Sequence, residues 1–170
     1  MAVLNIEKYP STVLKQKASP VEQVDDAIRT LMDDMVETMY ASSGVGLAAP
    51  QVGRSVRVIV VDANINEDDN YPVLKLANPE IIKADGSVEF EEGCLSVPGF
   101  TVLIKRPSDI TVKALDRDGK EVIIEADGLL AIVLQHEIDH LEGRLILDRA
   151  STIKREFYRK RLKKNAAAAG

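Results

Sequence analysis

At 170 residues, with 45% hydrophobic and 29% charged side chains, the chain is long enough to bury a real core and has the composition of an ordinary soluble domain. No apolar run approaches bilayer length, and the start MAVLNIEKYP has neither the pattern of a secretory signal nor that of a transit peptide. A net charge of −5 argues against wholesale coating of DNA, and a single cysteine, Cys94, excludes an internal disulfide and fits a reducing, cytoplasmic setting.

Residues 1–20 read as short-range structure, with a helical turn around Thr12–Lys17 between Pro10 and Pro20. The first long helix is expected over Asp25–Met39. Ile28, Leu31, Met32, Met35, Val36 and Met39 recur with a period near 3.6, and Asp25 and Asp26 suit the positive end of the helix dipole. Ser42, Ser43 and Gly44 end it, with Gly44 as a candidate C-cap. The segment GVGLAAPQVG, residues 44–53, carries small residues that another backbone can approach closely, and Gln51 adds a neutral amide able to donate to a carbonyl.

Val56–Asp62 is nearly continuous and β-branched, which predicts a buried strand. A polar loop is expected at Glu67–Asn70, then strand segments at Val73–Ala77 and Glu80–Lys83 separated by Asn78-Pro79. Ser87–Glu91 alternates and predicts another strand, whereas EGCLSVPG, residues 92–99, reads as a loop that carries Cys94. Ile110–Leu115 and Val122–Glu125 read as two strands joined by the DRDG turn. Leu129–Gly143 is expected as a helix punctuated by Gly128 and Gly143. A last helix starts at Ser151, with Ile153, Phe157 and Leu162 docked on the body, and ends near residue 164, before a flexible tail over 165–170. The expectation is one α+β domain over residues 1–170, with short, mostly antiparallel strands packed around a central helix.

That central helix holds the only two histidines of the chain, in the sequence HEIDH. His136 and His140, four apart, share one face, so both imidazoles can reach one metal ion, with Glu137 placed to act on water beside it. A catalytic metal needs a third protein ligand and an open position. In the HExxHxxGxxH pattern Gly143 matches the glycine, but the third histidine position holds Ile146. Asp148 and Glu156 are available downstream, although Glu156 is explained as an i, i+4 partner of Lys160. Cys94 is the better candidate, because EGCLS is not the apolar setting of an inert buried thiol.

GVGLAAPQ at 44–51, EGCLS at 92–96 and HEIDH at 136–140 resemble, in order, the three signature motifs of the peptide deformylase family. The resemblance runs over nearly the whole chain. It implies Cys94, His136 and His140 as ligands of one divalent ion, ferrous iron natively, with zinc, nickel or cobalt as substitutes. It implies Glu137 as general acid–base, and the Gln51 amide with the Leu95 backbone N–H as donors to the carbonyl oxygen of the substrate's formyl group. The substrate implied is a peptide beginning with N-formyl-methionine; the products are formate and a free N-terminus. Gly44–Gly46 would pair with the peptide backbone, with Gly46 and Gly93 nearest it. Val45, Leu129, Ile132 and Val133 would form the pocket for the methionine side chain.

Two other readings stand beside this one. A metallopeptidase of the HExxH type would release amino acids rather than formate, and it lacks its downstream ligand. A structural metal module would normally close its site with four protein ligands. From residue 154 onward seven cations face one carboxylate, which leaves that segment at +6 and the rest of the chain at −11. The asymmetry points to a polyanion, and the resemblance suggests the ribosome surface, with no membrane and no DNA as partner.

Overall fold

The computed structural model describes residues 2–62 and 72–169. The polar loop expected over residues 67–70 lies outside them. The first helix, α1, spans Asp26–Ala41, and the side chain of Asp25 caps it by accepting from the Ile28 N–H at 3.0 Å. Leu31, Met32, Met35 and Met39 of its apolar stripe are buried. Its end is a Schellman motif built on Ser43 rather than Gly44. Ser43 takes φ +56°, Gly44 N–H donates to Met39 O, and Ser43 N–H donates to Tyr40 O.

The main sheet is antiparallel throughout and has the order β1 (Gly46–Ala48), β2 (Val58–Val61), β3 (Leu74–Asp85), β6 (Asp109–Leu115), β7 (Glu121–Ala126). A separate hairpin joins β4 (Val88–Cys94) to β5 (Val97–Arg106). The helix α2, Gly128–Leu141, lies against β1 and β2, and α3, Thr152–Ala169, closes the chain. Short 3-10 turns occupy Thr12–Lys15, Ala49–Val52 and Ile146–Arg149. This is an α+β fold of mostly antiparallel strands.

Several boundaries differ from expectation for identifiable reasons. The strand β3 runs through Asn78-Pro79 instead of breaking there. The register shifts between Ala77 and Glu80, and the Asn78 amide binds both the N–H and the C=O of Val21, at 2.7 and 2.8 Å, so the irregular residue is tied to a neighbouring segment. The stretch 92–99 is not a loop. Glu92, Gly93 and Cys94 end β4, Val97 starts β5, and only Leu95-Ser96 turn between them. The strand β5 itself went unexpected, although Phe100, Val102, Ile104 and Arg106 alternate inward along it.

The last helix also differs. It extends through Ala169, past the expected end near residue 164, on a run of the best helix-forming residue. Its docked face is Tyr158 and Leu162, while Ile153 and Phe157 point to solvent at 70% and 71% exposure. Glu156 pairs with Arg159 at 2.9 Å rather than with Lys160.

Candidate metal centre and substrate groove

Three elements supply the centre. Cys94 comes from the end of β4, His136 and His140 from one face of α2, and Gln51 from the 3-10 turn after β1. His140 Nε2 lies 3.4 Å from Cys94 Sγ and 3.3 Å from His136 Nε2, and the three candidate ligand atoms all fall within 4.8 Å of one another. Ligands held tetrahedrally at about 2.0–2.1 Å for nitrogen and about 2.3 Å for sulfur would stand roughly 3.3–3.6 Å apart, so the donor set fits one ion. Burial pushes His140 well below the ordinary histidine range, with His136 and Arg106 adding to the effect, so its lone pair stays free of a proton.

Behind the ligands runs a buried chain of charges. His136 Nδ1 lies 3.0 Å from Glu92 Oε1, and Arg106 grips both Glu92 oxygens at 2.6 and 2.8 Å. Burial opposes the charge on Glu92, but the hydrogen bonds from Arg106 and His136 outweigh it and hold the carboxyl below its usual range. Arg106 also donates to Asp139 at 3.0 Å, and Arg149 donates to Asp139 at 2.7 and 2.9 Å. The ring of His136 is thereby fixed through its second nitrogen, the arrangement that orients metal-bound imidazoles. Glu92 and Arg106 suit this contact by sequence type; Asp139 and Arg149 are additional members that no spacing rule marked.

Glu137 is 2% exposed, and burial pushes its carboxyl up to about 7. It stands at the wall of a cavity of about 540 Å³ that also takes in Gln51, Cys94 and His136. The expected groove residues Gly44, Val45, Gly46, Gly93, Leu95, Leu129, Ile132 and Val133 all border this cavity. Phe90, Val97, Phe100 and Thr101 border it too and were not foreseen. Phe90 had a usable signal, since it stands two residues from Glu92 in an alternating strand. Phe100 and Thr101 had none without β5. The Gln51 amide accepts from Ala48 N–H at 2.9 Å through Oε1, and its nitrogen faces Ser96 Oγ at 3.1 Å and Cys94 Sγ at 3.7 Å.

A cysteine and two helical histidines beside a buried carboxylate, opening on an apolar groove, define a metal-dependent hydrolase. The polypeptide deformylase family model matches residues 3–156. The peptide deformylase of Thermodesulfovibrio yellowstonii is 53% identical over 163 residues, 96% of this chain and 98% of that protein. The crystal structure of peptide deformylase from Ehrlichia chaffeensis superposes with a TM-score of 0.92 at 41% identity, covering 99% of both chains. A structure of the Ehrlichia chaffeensis enzyme in complex with actinonin gives a TM-score of 0.89 at 44% identity, over 97% of this chain and 98% of that one. The chain belongs to the polypeptide deformylase family, the metal-dependent hydrolases that remove the N-formyl group from nascent peptides. Among the described residues no helix is long and apolar enough to cross a membrane.

Proposed function

We propose that Cys94, His136 and His140 hold one divalent ion, ferrous iron in the native enzyme, and that the surrounding residues use it to deformylate N-formyl-methionyl peptides. The observation that carries this is the convergence of those three ligand atoms beside the buried Glu137. When bound, such an ion polarises the formyl carbonyl and acidifies the water beside it.

The chain's own groups do the rest. Glu137 takes the proton of the attacking water and returns one to the departing amine, and a carboxyl poised near neutrality is suited to both transfers. The Gln51 amide, whose nitrogen lies beside Cys94, and the backbone N–H of Leu95 are assigned to the developing oxyanion. The strand β1 is an edge of the main sheet, and Gly44–Gly46, the segment that leads into it, is assigned as the place where an extended peptide adds as a strand. Val45, Leu129, Ile132 and Val133, together with Phe90, receive the methionine side chain. Gly93 stays bare where the peptide passes. Zinc, nickel or cobalt would serve as substitutes, since a thiolate and two imidazoles do not select iron by ligand chemistry alone.

The test measures metal content and formate release on one anaerobic preparation. Cys94→Ala, His136→Ala and His140→Ala should each lose both; stoichiometric metal in Cys94→Ala would overturn the ligand assignment. Iron-loaded enzyme should lose activity in air while the zinc-loaded form resists, and equal lifetimes would overturn the choice of iron.

The partner reading is narrower. We assign the outer face of α3, where Lys160, Lys163 and Lys164 are exposed together with Ile153 and Phe157, to the ribosome surface, which places the work in the bacterial cytoplasm where formylated chains emerge.

A further inference from the structure

We propose that the recess between the N-terminal segment and the root of α3 is a binding site for a phosphate group, separate from the metal centre. Tyr9, Lys15, Arg155 and Arg159 converge there with Gly143 and Asp148 around a cavity of about 290 Å³. Arg155 is the central observation. Its Nε is buried and has no hydrogen-bond partner, and the one side-chain hydrogen bond it makes among the described residues is long, 3.5 Å from Nη2 to Thr152 Oγ1. A guanidinium held with so few partners is costly, and an anion entering the recess would pair with its charge.

The neighbouring donors point the same way. Lys15 sits with its ammonium 5.4 Å from the Tyr9 ring centroid and forms no ion pair among the described residues. Arg159 donates to the Tyr9 hydroxyl at 3.0 Å, which turns the phenol's own proton free to serve another acceptor. Arg159 is partly neutralised by Glu156, so the unspent positive charge lies on Lys15 and Arg155. The recess is held open by backbone. A Cβ on Gly143 would fall 2.6 Å from the Lys15 carbonyl oxygen, so the turn after α2 must be glycine for Lys15 to lie where it does.

Donors arriving from two facing segments, Tyr9 and Lys15 on one side and Arg155 and Arg159 on the other, suit a tetrahedral anion better than a flat carboxylate, which one guanidinium fork satisfies. The site goes beyond the deformylation reading and does not need it. A free phosphate ion and a phosphodiester of an RNA strand present the same chemistry to it.

The experiment is an amide-resolved NMR titration of zinc-loaded full-length protein with inorganic phosphate, against sodium chloride of equal ionic strength. Saturable shifts at Tyr9, Gly143 and Asp148 with phosphate alone are expected. Arg155→Gln and Lys15→Ala should each weaken the fitted affinity about tenfold, the loss of one charge-assisted hydrogen bond. Lys15 is exposed, so its variant stays informative if Arg155→Gln fails to fold. Asp148→Asn should tighten binding, because it removes the one carboxylate facing the recess while keeping an oxygen for the Leu145 N–H. A short RNA duplex that competes with phosphate at these amides makes a backbone phosphate the ligand, and absence of competition makes it a free anion. Equal shifts with chloride, shifts confined to the metal centre, or unchanged affinity in Lys15→Ala and Arg155→Gln would overturn the proposal.

Discussion

A methyl group on Gly46 would sit 2.8 Å from Val133 Cγ1 and 3.0 Å from Glu137 Oε2. The bare backbone at this position therefore serves the buried carboxylate as much as any peptide lying along β1. Gly46→Ala should push Glu137 off its line, and a displacement of about 1 Å costs roughly 10²-fold in rate. Metal content should not change, since none of the three ligands is touched; loss of metal in Gly46→Ala would show that the glycine supports the centre as a whole. Glu137→Gln separates chemistry from binding more directly. It should keep the metal and lose roughly 10²–10⁴-fold in turnover, measured as formate release under saturating substrate. Near-normal turnover would remove Glu137 from the proton path.

At the scale of elements, α3 is fastened to the start of β5, just past the turn that follows Cys94. The Tyr158 hydroxyl donates to Pro98 O at 3.0 Å, Arg161 donates to Gly99 O, and the Tyr158 ring meets Phe100 edge-on at 5.2 Å. Phe100 and Gly99 border the substrate cavity, so one wall of the groove leans on the last helix. Tyr158→Ala should cost about 3–5 kcal/mol in chemical denaturation, whereas Tyr158→Phe, which loses only the hydrogen bond, should cost about 1 kcal/mol. A second tie joins α1 to the sheet. Asp33 receives Arg117 at 2.8 Å and Lys75 at 3.0 Å. The Arg117 hydrogen bond, helped by Lys75, lowers its carboxyl to about 2. The folded state thus gains from Asp33 above the ordinary aspartate range and loses that gain as pH falls toward 2. Asp33→Asn should be less stable than wild type by about 1 kcal/mol at pH 7, with allowance for solvent screening, and the gap should close in acid. A gap that persists at pH 2 would mean the ties act through packing rather than charge.

The same elements show what the sequence can and cannot convey. The methionine stripe of α1 and the HEIDH spacing are periodic signals within one helix, so both the helix and the shared face of His136 and His140 were readable. Cys94 could be nominated because its surroundings are polar. The strand β5 was hidden, because Pro98 and Gly99 at its start are breakers in most settings. Here they open a two-stranded hairpin, separate from the main sheet. The docked face of α3 was misread for a related reason. Ile153 and Phe157 have the right spacing for a buried pair, but burial is decided by where Phe100 and Tyr9 lie, and of these apolar residues of α3 it is Tyr158 and Leu162 that pack into that cluster.

Over the whole molecule, charge is separated along the chain, with +6 gathered after residue 153 and −11 spread over the rest. Arg159 is tied to Tyr9 and Glu156 and Arg161 to Gly99 O, which leaves Lys154, Lys160, Lys163 and Lys164 to meet a partner, the last three grouped toward the far end of α3. Reversal of these three to glutamate should weaken ribosome binding and flatten its dependence on salt, because fewer counterions are released on contact. Hydrolysis of short formyl peptides should stay at the wild-type rate. Sedimentation with ribosomes at two salt concentrations would show this; unchanged binding by the triple variant would remove α3 as the docking element.

The N-terminal segment and α3 meet at one place. Tyr9 N–H donates to Ser96 O, the Tyr9 ring lies 6.2 Å from that of Tyr158, and Arg159 reaches the Tyr9 hydroxyl. The turn at Leu95–Ser96 thus sits beside a clasp formed by the N-terminal segment and α3. In mechanical terms, a pulling force applied at the two ends would first strip residues 2–7 from their ties to Asp34, Thr38 and Gln51, and would then load that clasp. The yield point that opens the clasp should therefore coincide with release of Cys94 and with the end of activity, while most of the sheet is still intact.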